Sequence, residues 1–445
     1  MLGLLMRVAA LAALAGPPGR PALEHTRYTL ANGLEVILRP VHSVPLIAVH
    51  VRYHVGAADD PPGRRGLAHI VEHLSFEGTA HITGERAKLY RFYTGTVADN
   101  ASTTLTSTDY YMTVPADYLA TSLWIESDRM GFLGGMTTRS GLTAAQRVVA
   151  NERRQRIDAE PYAELTERVY AALYPANHPY HGMLIGSMAD IDAATVQDAE
   201  AFVAAWYTPA NATLVLVGDL PRNTRALVDR YFGGLPAPAP ASHAAVGQTP
   251  LAREVRLQAS EAVGRSARVI AAWRSPARYT ADDAVAEVLC DALTTGAGER
   301  LAMEQGGHAV FQVGFQQQAE PTVSTLIAQM SGRIGEPAVQ VLAVMDHVLT
   351  RVGAGALTTA EIVNARERVI TNNLTRLQSL AGQAARLQRY AHDRGAPDWL
   401  AHDLQRYHAV TPEAVTRFAR EVLRRDRRVV LLAEPGAPTA GARTP

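Results

Sequence analysis

Residues 66–79 read GLAHIVEHLSFEGT, a pattern with the spacing of one helical face. An α-helix turns by about 100° per residue, so His69 and His73 are about 40° apart and Glu72 lies on the same arc. Two histidines four residues apart can bind one zinc ion, and a carboxylate between them can take a proton from water. The segment therefore predicts a helix with a hydrolytic metal site, although a surface-facing histidine pair on an ordinary helix remains the alternative.

A catalytic zinc site needs a third protein ligand and keeps one position for water. Glu152 supplies a carboxylate on a predicted helix downstream of His73. Glu126, on the preceding predicted helix, is the competing candidate. With either third ligand, the sequence predicts one zinc ion per chain and assigns the role of general base to Glu72.

Two stretches of the chain recur at nearly the same offset, which indicates an internal duplication. Thr195 and Phe202 recur as Thr411 and Phe418, and each pair precedes a strand-like apolar run. The pairs Leu142-Thr143 and Glu152-Arg153 recur as Leu357-Thr358 and Glu367-Arg368. Strands and helices come in runs without strict alternation, so we predict an α+β fold of two duplicated halves. Each half is expected to be a largely antiparallel sheet with helices packed on one side.

The second copy serves as an internal control for the metal site. The positions that correspond to His69, Glu72 and His73 in the second copy hold Ala284, Glu287 and Val288. The copy keeps the helical pattern but lacks both histidines. This difference predicts a single metal site, located in the first half.

Strand and helix patterns organise the chain around this duplication. Asn32-Gly33 marks a turn between two strands in residues 28–38, and residues 47–53 predict another strand. Apolar spacing predicts helices over 66–74 and 119–132. The predicted organisation is a signal peptide at 1–15, a zinc-binding domain at 24–234, a Pro/Ala-rich linker at 235–250, a second domain at 251–435 and a disordered tail at 436–445.

Composition excludes several classes of protein. The chain of 445 residues has 43 basic and 43 acidic residues and is 47% hydrophobic, as expected of a globular protein with more than one domain. This balance argues against non-specific nucleic-acid binding. Residues 1–15 resemble a secretory leader, with the start at Met1 or Met6, which predicts an exported protein that is periplasmic or secreted. No apolar run reaches the length of about 20 residues that spans a bilayer.

A polar strand pair lies between the predicted zinc helix and the third ligand. Residues 99–114 read DNASTTLTSTDYYMTV, which predicts two strands with an open edge. An extended peptide can add to such an edge as a further strand. A peptide substrate is therefore the expected partner.

The sequence resembles the pitrilysin/insulinase family of zinc peptidases, and most closely its short bacterial and mitochondrial-processing-peptidase branch. The motifs that carry the resemblance are 32–34 (NGL), 66–79, 100–103 (NAST), 126–130 (ESDRM), 151–154 (NERR), 178–180 (HPY), 185–187 (IGS) and 217–219 (VGD). The resemblance implies that His69, His73 and Glu152 bind zinc and that Glu72 is the general base. It further implies that two similar chains or halves close around a chamber. On the open strand edge, Asn100, Ala101, Ser102 and Thr103 are the predicted substrate-binding residues, and a simple turn amide is the alternative for Asn100.

One departure from the family pattern concerns the second half. Family members complete the active site with an arginine and a tyrosine from a C-terminal half. The corresponding residues 298–311 contain no tyrosine, and only Arg300 and His308 are candidates there. The resemblance therefore implies a homodimer, or a heterodimer with a sister subunit that supplies the Arg/Tyr pair. In addition, Ala145 stands where relatives often have an acidic residue that supports the metal site.

The function favoured by these features is zinc-dependent hydrolysis of peptides or unfolded segments bound in extended form. The first alternative is a proteolytically inactive or partner-dependent subunit with a role in assembly or peptide binding. The second is a peptide-binding module that holds zinc structurally, in which a fourth protein ligand closes the metal site.

Overall fold

The computed structural model describes residues 22–133, 137–236, 238–239, 241–249, 251–261, 264–305 and 309–436. These residues form two compact units. The first unit takes its described residues from Met1–Glu152, Met183–Ala244 and Asn373–His402, and the second from Arg153–Gly182, Ala245–Asn372 and Asp403–Pro445. The predicted leader at 1–15 and residues 437–445 of the predicted tail lie outside the described residues.

Eleven strands in the described residues form two sheets. The strands are β1 Thr26–Thr29, β2 Glu35–Pro40, β3 Leu46–Tyr53, β4 Ala98–Thr103, β5 Thr108–Pro115, β6 Ala212–Gly218, β7 Val255–Glu261, β8 Arg268–Ser275, β9 Val310–Gln318, β10 Ser324–Gly332 and β11 Val429–Pro435. The first sheet has the order β1-β2-β6-β3-β5-β4, and the second has the order β7-β11-β8-β10-β9.

Fifteen α-helices accompany the sheets in the described part of the chain. They are α1 Leu67–Leu74, α2 Gly84–Tyr93, α3 Leu119–Phe132, α4 Arg139–Arg153, α5 Ala163–Leu173, α6 Met188–Ala193, α7 Val196–Trp206, α8 Thr224–Phe232, α9 Ala281–Ala292, α10 Gly298–Met303, α11 Ala338–Gly353, α12 Thr359–Arg376, α13 Leu380–Arg394, α14 Leu400–His408 and α15 Pro412–Val422. The predicted helix at 66–74 is α1, and the one at 119–132 is α3.

The two sheets repeat one strand order, as the sequence duplication predicts. If β1 is set aside, each sheet places the first strand of its half beside the last, followed by the second, fourth and third. The first and last strands are parallel neighbours, and all other paired strands are antiparallel. A helix follows the second strand in both halves, α1 after β3 and α9 after β8. The predicted α+β fold is confirmed.

Helices cover both faces of the first sheet. Helix α3 packs on the face that carries the ring of Tyr110, over which the Arg129 guanidinium lies 4.2 Å from the ring centroid. Helix α13, which comes from the second half of the sequence, packs on the other face. There the Gln388 amide donates to the carbonyl of Thr213 at 2.7 Å. The first unit therefore includes a helix that the sequence places 160 or more residues after its last strand.

The second sheet shows the same arrangement with the halves reversed. Helix α5, from the first half of the sequence, packs against β7, β8 and β11. On this face Arg274 donates to the carbonyl of Leu173 at 3.0 Å. Helices α11 and α15, from the second half, pack against strands of the same sheet. Each half is predicted to pack its helices on one side of its sheet. In the structure, one helix from the other half of the sequence covers the remaining face of each sheet.

The predicted linker at 235–250 falls where the described residues between Phe232 and Val255 form no helix or strand. The domain bounds 24–234 and 251–435 stay a prediction, because the compact units combine segments from both halves. No helix among the described residues is both long enough and apolar enough to cross a lipid bilayer.

Candidate metal centre

Helix α1 begins at a position that only glycine fits well. Gly66 has φ 91°, and a β-carbon there would lie 2.6 Å from the carbonyl oxygen of Ile185. The buried carboxylate of Asp60 accepts hydrogen bonds from the N–H groups of Gly66 at 2.7 Å and Ala68 at 2.8 Å. Burial raises the pKa of Asp60 to about 7, and the two N–H donors act against that rise. The first turn of α1 is thereby fixed just before the first histidine.

His69 and His73 present their ring nitrogens to a common point. The two Nε2 atoms are 3.2 Å apart, and the ring centroids are 4.8 Å apart. One ligand atom from each of His69, Glu72 and His73 lies within 4.8 Å of the others. The predicted helical face is therefore present, and it is largely buried rather than exposed to solvent.

Glu152, at the end of α4, lies beside both histidines. Its Oε1 atom is 3.3 Å from Nε2 of His73, and its Oε2 atom is 3.8 Å from Nε2 of His69. Glu126 is engaged elsewhere, because its buried carboxylate accepts a hydrogen bond from Arg129 on the same helix. The structure thus brings Glu152, and not its competitor Glu126, to the histidine pair.

The carboxylate of Glu72 contacts the edge strand of the sheet. The Thr103 hydroxyl donates to Oε2 of Glu72 at 2.6 Å. Burial raises the pKa of Glu72 to about 7, the hydrogen bond from Thr103 opposes the rise, and the carboxylates of Glu152 and Asp109 add to it. A carboxyl group with a pKa near neutrality is suited to exchange protons with a substrate or with water.

The donor set fits a zinc ion. Two imidazole nitrogens and one carboxylate are the ligands of many catalytic zinc sites, which leave a fourth position for water. Three such ligand groups converge in the first unit from two helices, α1 and α4. Glu72 stands next to them without being needed as a ligand. The residues therefore fit both a metal ion and an adjacent base.

Strand β4 forms an outer edge of the first sheet, and no other described strand pairs with its far side. The N–H of Thr104 donates to the carbonyl of Ser107, so by the antiparallel alternation the main-chain groups of Ala101 and Thr103 face this edge. The N–H of Ala101 is bonded to the side-chain oxygen of Asn100 at 2.9 Å. Ser102 is exposed on the same strand. The predicted substrate segment thus lies at a sheet edge next to Glu72.

A buried charged cluster lies behind this edge. Asp109, on β5, accepts hydrogen bonds from Arg52 at 2.7 and 3.1 Å and from His50 at 2.8 Å. Burial alone would raise the pKa of Asp109, but Arg52 and His50 hold it well below its usual range. No local sequence pattern indicates this cluster, since its members lie on two strands that are more than 50 residues apart in the chain.

Of the two residues predicted to complete the site from the second half, the structure describes Arg300. Arg300 lies in the second unit, where its guanidinium donates to Glu361 at 2.7 and 2.9 Å and to the carbonyl of Ala356. A substrate role for Arg300 stays a prediction and would require these bonds to break. His308 lies outside the described residues. Ala145 is buried in α4 and offers no side-chain polar atom to the metal site.

Two family models match the chain. Residues 36–184 match the model described as insulinase, peptidase family M16, and residues 193–369 match the model described as the peptidase M16 inactive domain. The chain belongs to the M16 family of peptidases. The resemblance identified from the motifs is therefore confirmed.

Individual relatives agree with this assignment. The zinc protease PqqE of Helicobacter pylori is 35% identical over 199 residues, which is 44% of this chain and 44% of that protein. The chain spans less than half the length of the curated relatives it matches. A protease structure from Helicobacter pylori has a TM-score of 0.83 at 24% identity and covers 93% of this chain and 100% of that one. The periplasmic protease PqqL of Escherichia coli has a TM-score of 0.73 at 18% identity over 94% of this chain and 48% of that one.

Proposed function

We propose that this M16 peptidase is a zinc-dependent endopeptidase that binds one zinc ion through His69, His73 and Glu152. The observation that carries the proposal is the convergence of these three side chains, from two helices, beside the carboxylate of Glu72. Family membership supports the peptidase class, and a zinc protease among the relatives supports the choice of metal.

A zinc ion held by His69, His73 and Glu152 would polarise the scissile carbonyl and lower the pKa of water. Glu72 acts as the general base: its carboxylate takes a proton from the attacking water and returns it to the leaving amine. The peptide adds in extended form to the outer edge of β4, where Asn100 to Thr103 contact it. The side chain of Asn100 must then release the N–H of Ala101, which it occupies in the structure.

The proposed substrate is a peptide or an unfolded segment, because only an extended chain can pair with a strand edge along its length. We further propose that the protein acts as a homodimer or as a heterodimer whose sister subunit supplies an arginine and a tyrosine. The internal pairing of Arg300 with Glu361 supports a need for such donors from elsewhere.

Export to the periplasm or beyond is proposed from the leader-like residues 1–15. The structural relative PqqL is a periplasmic protease, which agrees with this placement. The domain organisation of 24–234 and 251–435 joined by a linker at 235–250 is proposed on the duplication and on the repeated strand order.

The alternative function is a proteolytically inactive subunit with a role in assembly or peptide binding. It is favoured by the match of residues 193–369 to a domain described as inactive. The intact set of His69, Glu72, His73 and Glu152 in the first half weighs against it.

Glu72→Gln tests the proposal, with Glu287→Gln as its matched control in the second half. We expect purified wild type to contain about one zinc per chain and to cleave unfolded peptides. Glu72→Gln should keep the zinc and lose about 10²- to 10⁴-fold in turnover, the usual contribution of a general base. Glu287→Gln should retain both. Absence of zinc and of cleavage in every preparation, including one supplied with candidate partner chains, would favour the inactive subunit.

A further inference from the structure

Thr103, on strand β4, forms a side-chain hydrogen bond to Glu72. It is the last residue of the edge strand, and its hydroxyl donates to Oε2 of Glu72 at 2.6 Å. The carboxylate that faces the histidine pair is therefore bonded to the strand that offers its edge to a peptide. No such link follows from the motif spacing, because residues 72 and 103 lie on separate elements.

The Thr103 side chain is held in place on a rigid support. Thr103 pairs with Thr108 across the β4–β5 hairpin, and the buried hydroxyl of Thr108 donates to the carbonyl of Val55 at 2.9 Å. Hydroxyls of Thr104 and Ser107 brace the turn between the two strands. A β-branched side chain has few allowed χ1 rotamers, so the direction of the hydroxyl is largely set by this backbone.

The same hairpin is hydrogen-bonded to the segment that precedes helix α1. The N–H of Ala57 donates to the carbonyl of Thr104 at 3.0 Å, and the N–H of Ala58 donates to the carbonyl of Leu105 at 2.8 Å. A few residues later, Asp60 fixes the first turn of α1 through Gly66 and Ala68. Hydrogen bonds of residues 57–60 thus connect the hairpin to the helix that carries Glu72. The Thr103–Glu72 bond connects the hairpin and the helix directly.

We propose that Thr103 is a positioning residue for Glu72. Its hydroxyl holds Oε2, so that Oε1 is the oxygen left to exchange the proton. This inference rests on the proposed function for its catalytic meaning, and it assigns to Thr103 a role distinct from contact with the substrate. A carboxylate has two equivalent oxygens and a rotatable terminal bond, so packing alone holds its orientation weakly. A hydrogen bond from a fixed donor to one charged oxygen holds that orientation more firmly.

Thr103→Val removes the hydroxyl at nearly constant shape, and Thr103→Ser keeps it. Thr29→Val is the matched control, because it removes an exposed threonine hydroxyl from β1 at the opposite edge of the same sheet. Thr103→Val is expected to lower kcat about 10- to 100-fold, from the lost bond to a charged group. KM and zinc content should remain within about twofold of wild type. Thr103→Ser should recover most of kcat, and Thr29→Val should match wild type.

Crystal structures of wild type, Thr103→Val and Thr103→Ser give a readout that does not depend on activity. The Glu72 carboxylate should keep one orientation in wild type and in the serine variant, and should shift or adopt several rotamers in the valine variant. An unchanged Glu72 in Thr103→Val, or a rise in KM with kcat preserved, would overturn the positioning role. A wild type without zinc and without cleavage would instead remove the proposed function, while the crystal structures still decide the orientation of Glu72.

Discussion

Helices α1 and α9 occupy the same place in the two halves, directly after the second strand of their sheets, yet their side chains are used differently. Helix α1 carries His69, Glu72 and His73 on a face that meets Glu152. In α9 the corresponding histidine positions are Ala284 and Val288, and both are completely buried. The imidazole pair of one half is thus replaced by core packing in the other.

The acidic residues of the two helices differ in the same sense. Glu287, the counterpart of Glu72, accepts a hydrogen bond from the hydroxyl of Tyr407, and burial raises its pKa. Asp283, one turn earlier, accepts bonds from Gln317 and Arg406. The carboxylates of α9 therefore serve the fold of the second unit. Hydrolytic chemistry depends on a few side chains added to a scaffold that can equally well be inert.

The largest effect is expected when the two histidines of α1 are replaced by the corresponding residues of α9, in the double variant His69→Ala/His73→Val. Two of the three proposed zinc ligands are then absent. Zinc content should fall below detection and cleavage should fall by more than about 100-fold, since even indirect partners of metal ligands contribute about 10- to 100-fold. His408→Ala, at an exposed position on α14, serves as the control. Zinc at full occupancy in the double variant, measured by elemental analysis, would contradict the assignment of the ligands.

Stability should respond next, through two buried acids, Asp109 on β5 and Asp283 on α9. Asp109→Asn breaks the buried pairing with Arg52 and His50 and should lower the free energy of unfolding by about 3–5 kcal/mol at pH 7. Because its partners lower the pKa of Asp109, its contribution is present above the unfolded pKa of about 3.9 and is lost as the pH falls below that value. Urea denaturation at several pH values should therefore show the difference from wild type closing in acid.

Asp283 provides the opposite pH dependence for the same experiment. Burial raises its pKa, although Arg406 acts against the rise. The folded state then holds the proton more tightly than the unfolded state, so wild type should gain stability relative to Asp283→Asn as the pH falls towards about 4. Parallel pH profiles for Asp109→Asn and Asp283→Asn would contradict this contrast.

The smallest expected effect comes from Tyr407→Phe in the second half. This change removes the donor to Glu287 and leaves a partly buried acceptor without that bond, which should lower the unfolding free energy by about 1–2 kcal/mol. Cleavage and zinc content should remain within about twofold of wild type. Tyr118→Phe, at an exposed tyrosine, is the control. A large loss of activity in Tyr407→Phe would show that the second half contributes more than structural support.

Features set by local spacing could be predicted from the sequence. Helix α1 and the turn at Asn32-Gly33 depend on residues near one another in the chain, and the structure has the predicted elements at these places. The repeat could be found because short motifs recur in the same order in both halves. The choice between Glu126 and Glu152 could not be made in this way. Both are on helices, and only the fold brings the end of α4, which carries Glu152, to the two histidines.

Features that depend on contacts between distant segments had no signal in the sequence. Asp60 precedes α1 as an unremarkable acid in a loop, yet it fixes the first turn of the helix. Thr103 is a predicted substrate contact, and nothing in its sequence position indicates that its hydroxyl bonds to Glu72. Helix α13 has an ordinary helical pattern, and nothing in that pattern indicates which of the two sheets it covers.

The membership of α13 in the first unit and of α5 in the second bears on how such a chain can evolve. A duplicated gene ordinarily leaves two copies that recombination can separate again. Here each copy depends on a helix encoded by the other, so a gene cut at the linker would yield two fragments with one sheet face bare in each. We therefore expect that a change in either of these helices affects the sheet of the other repeat.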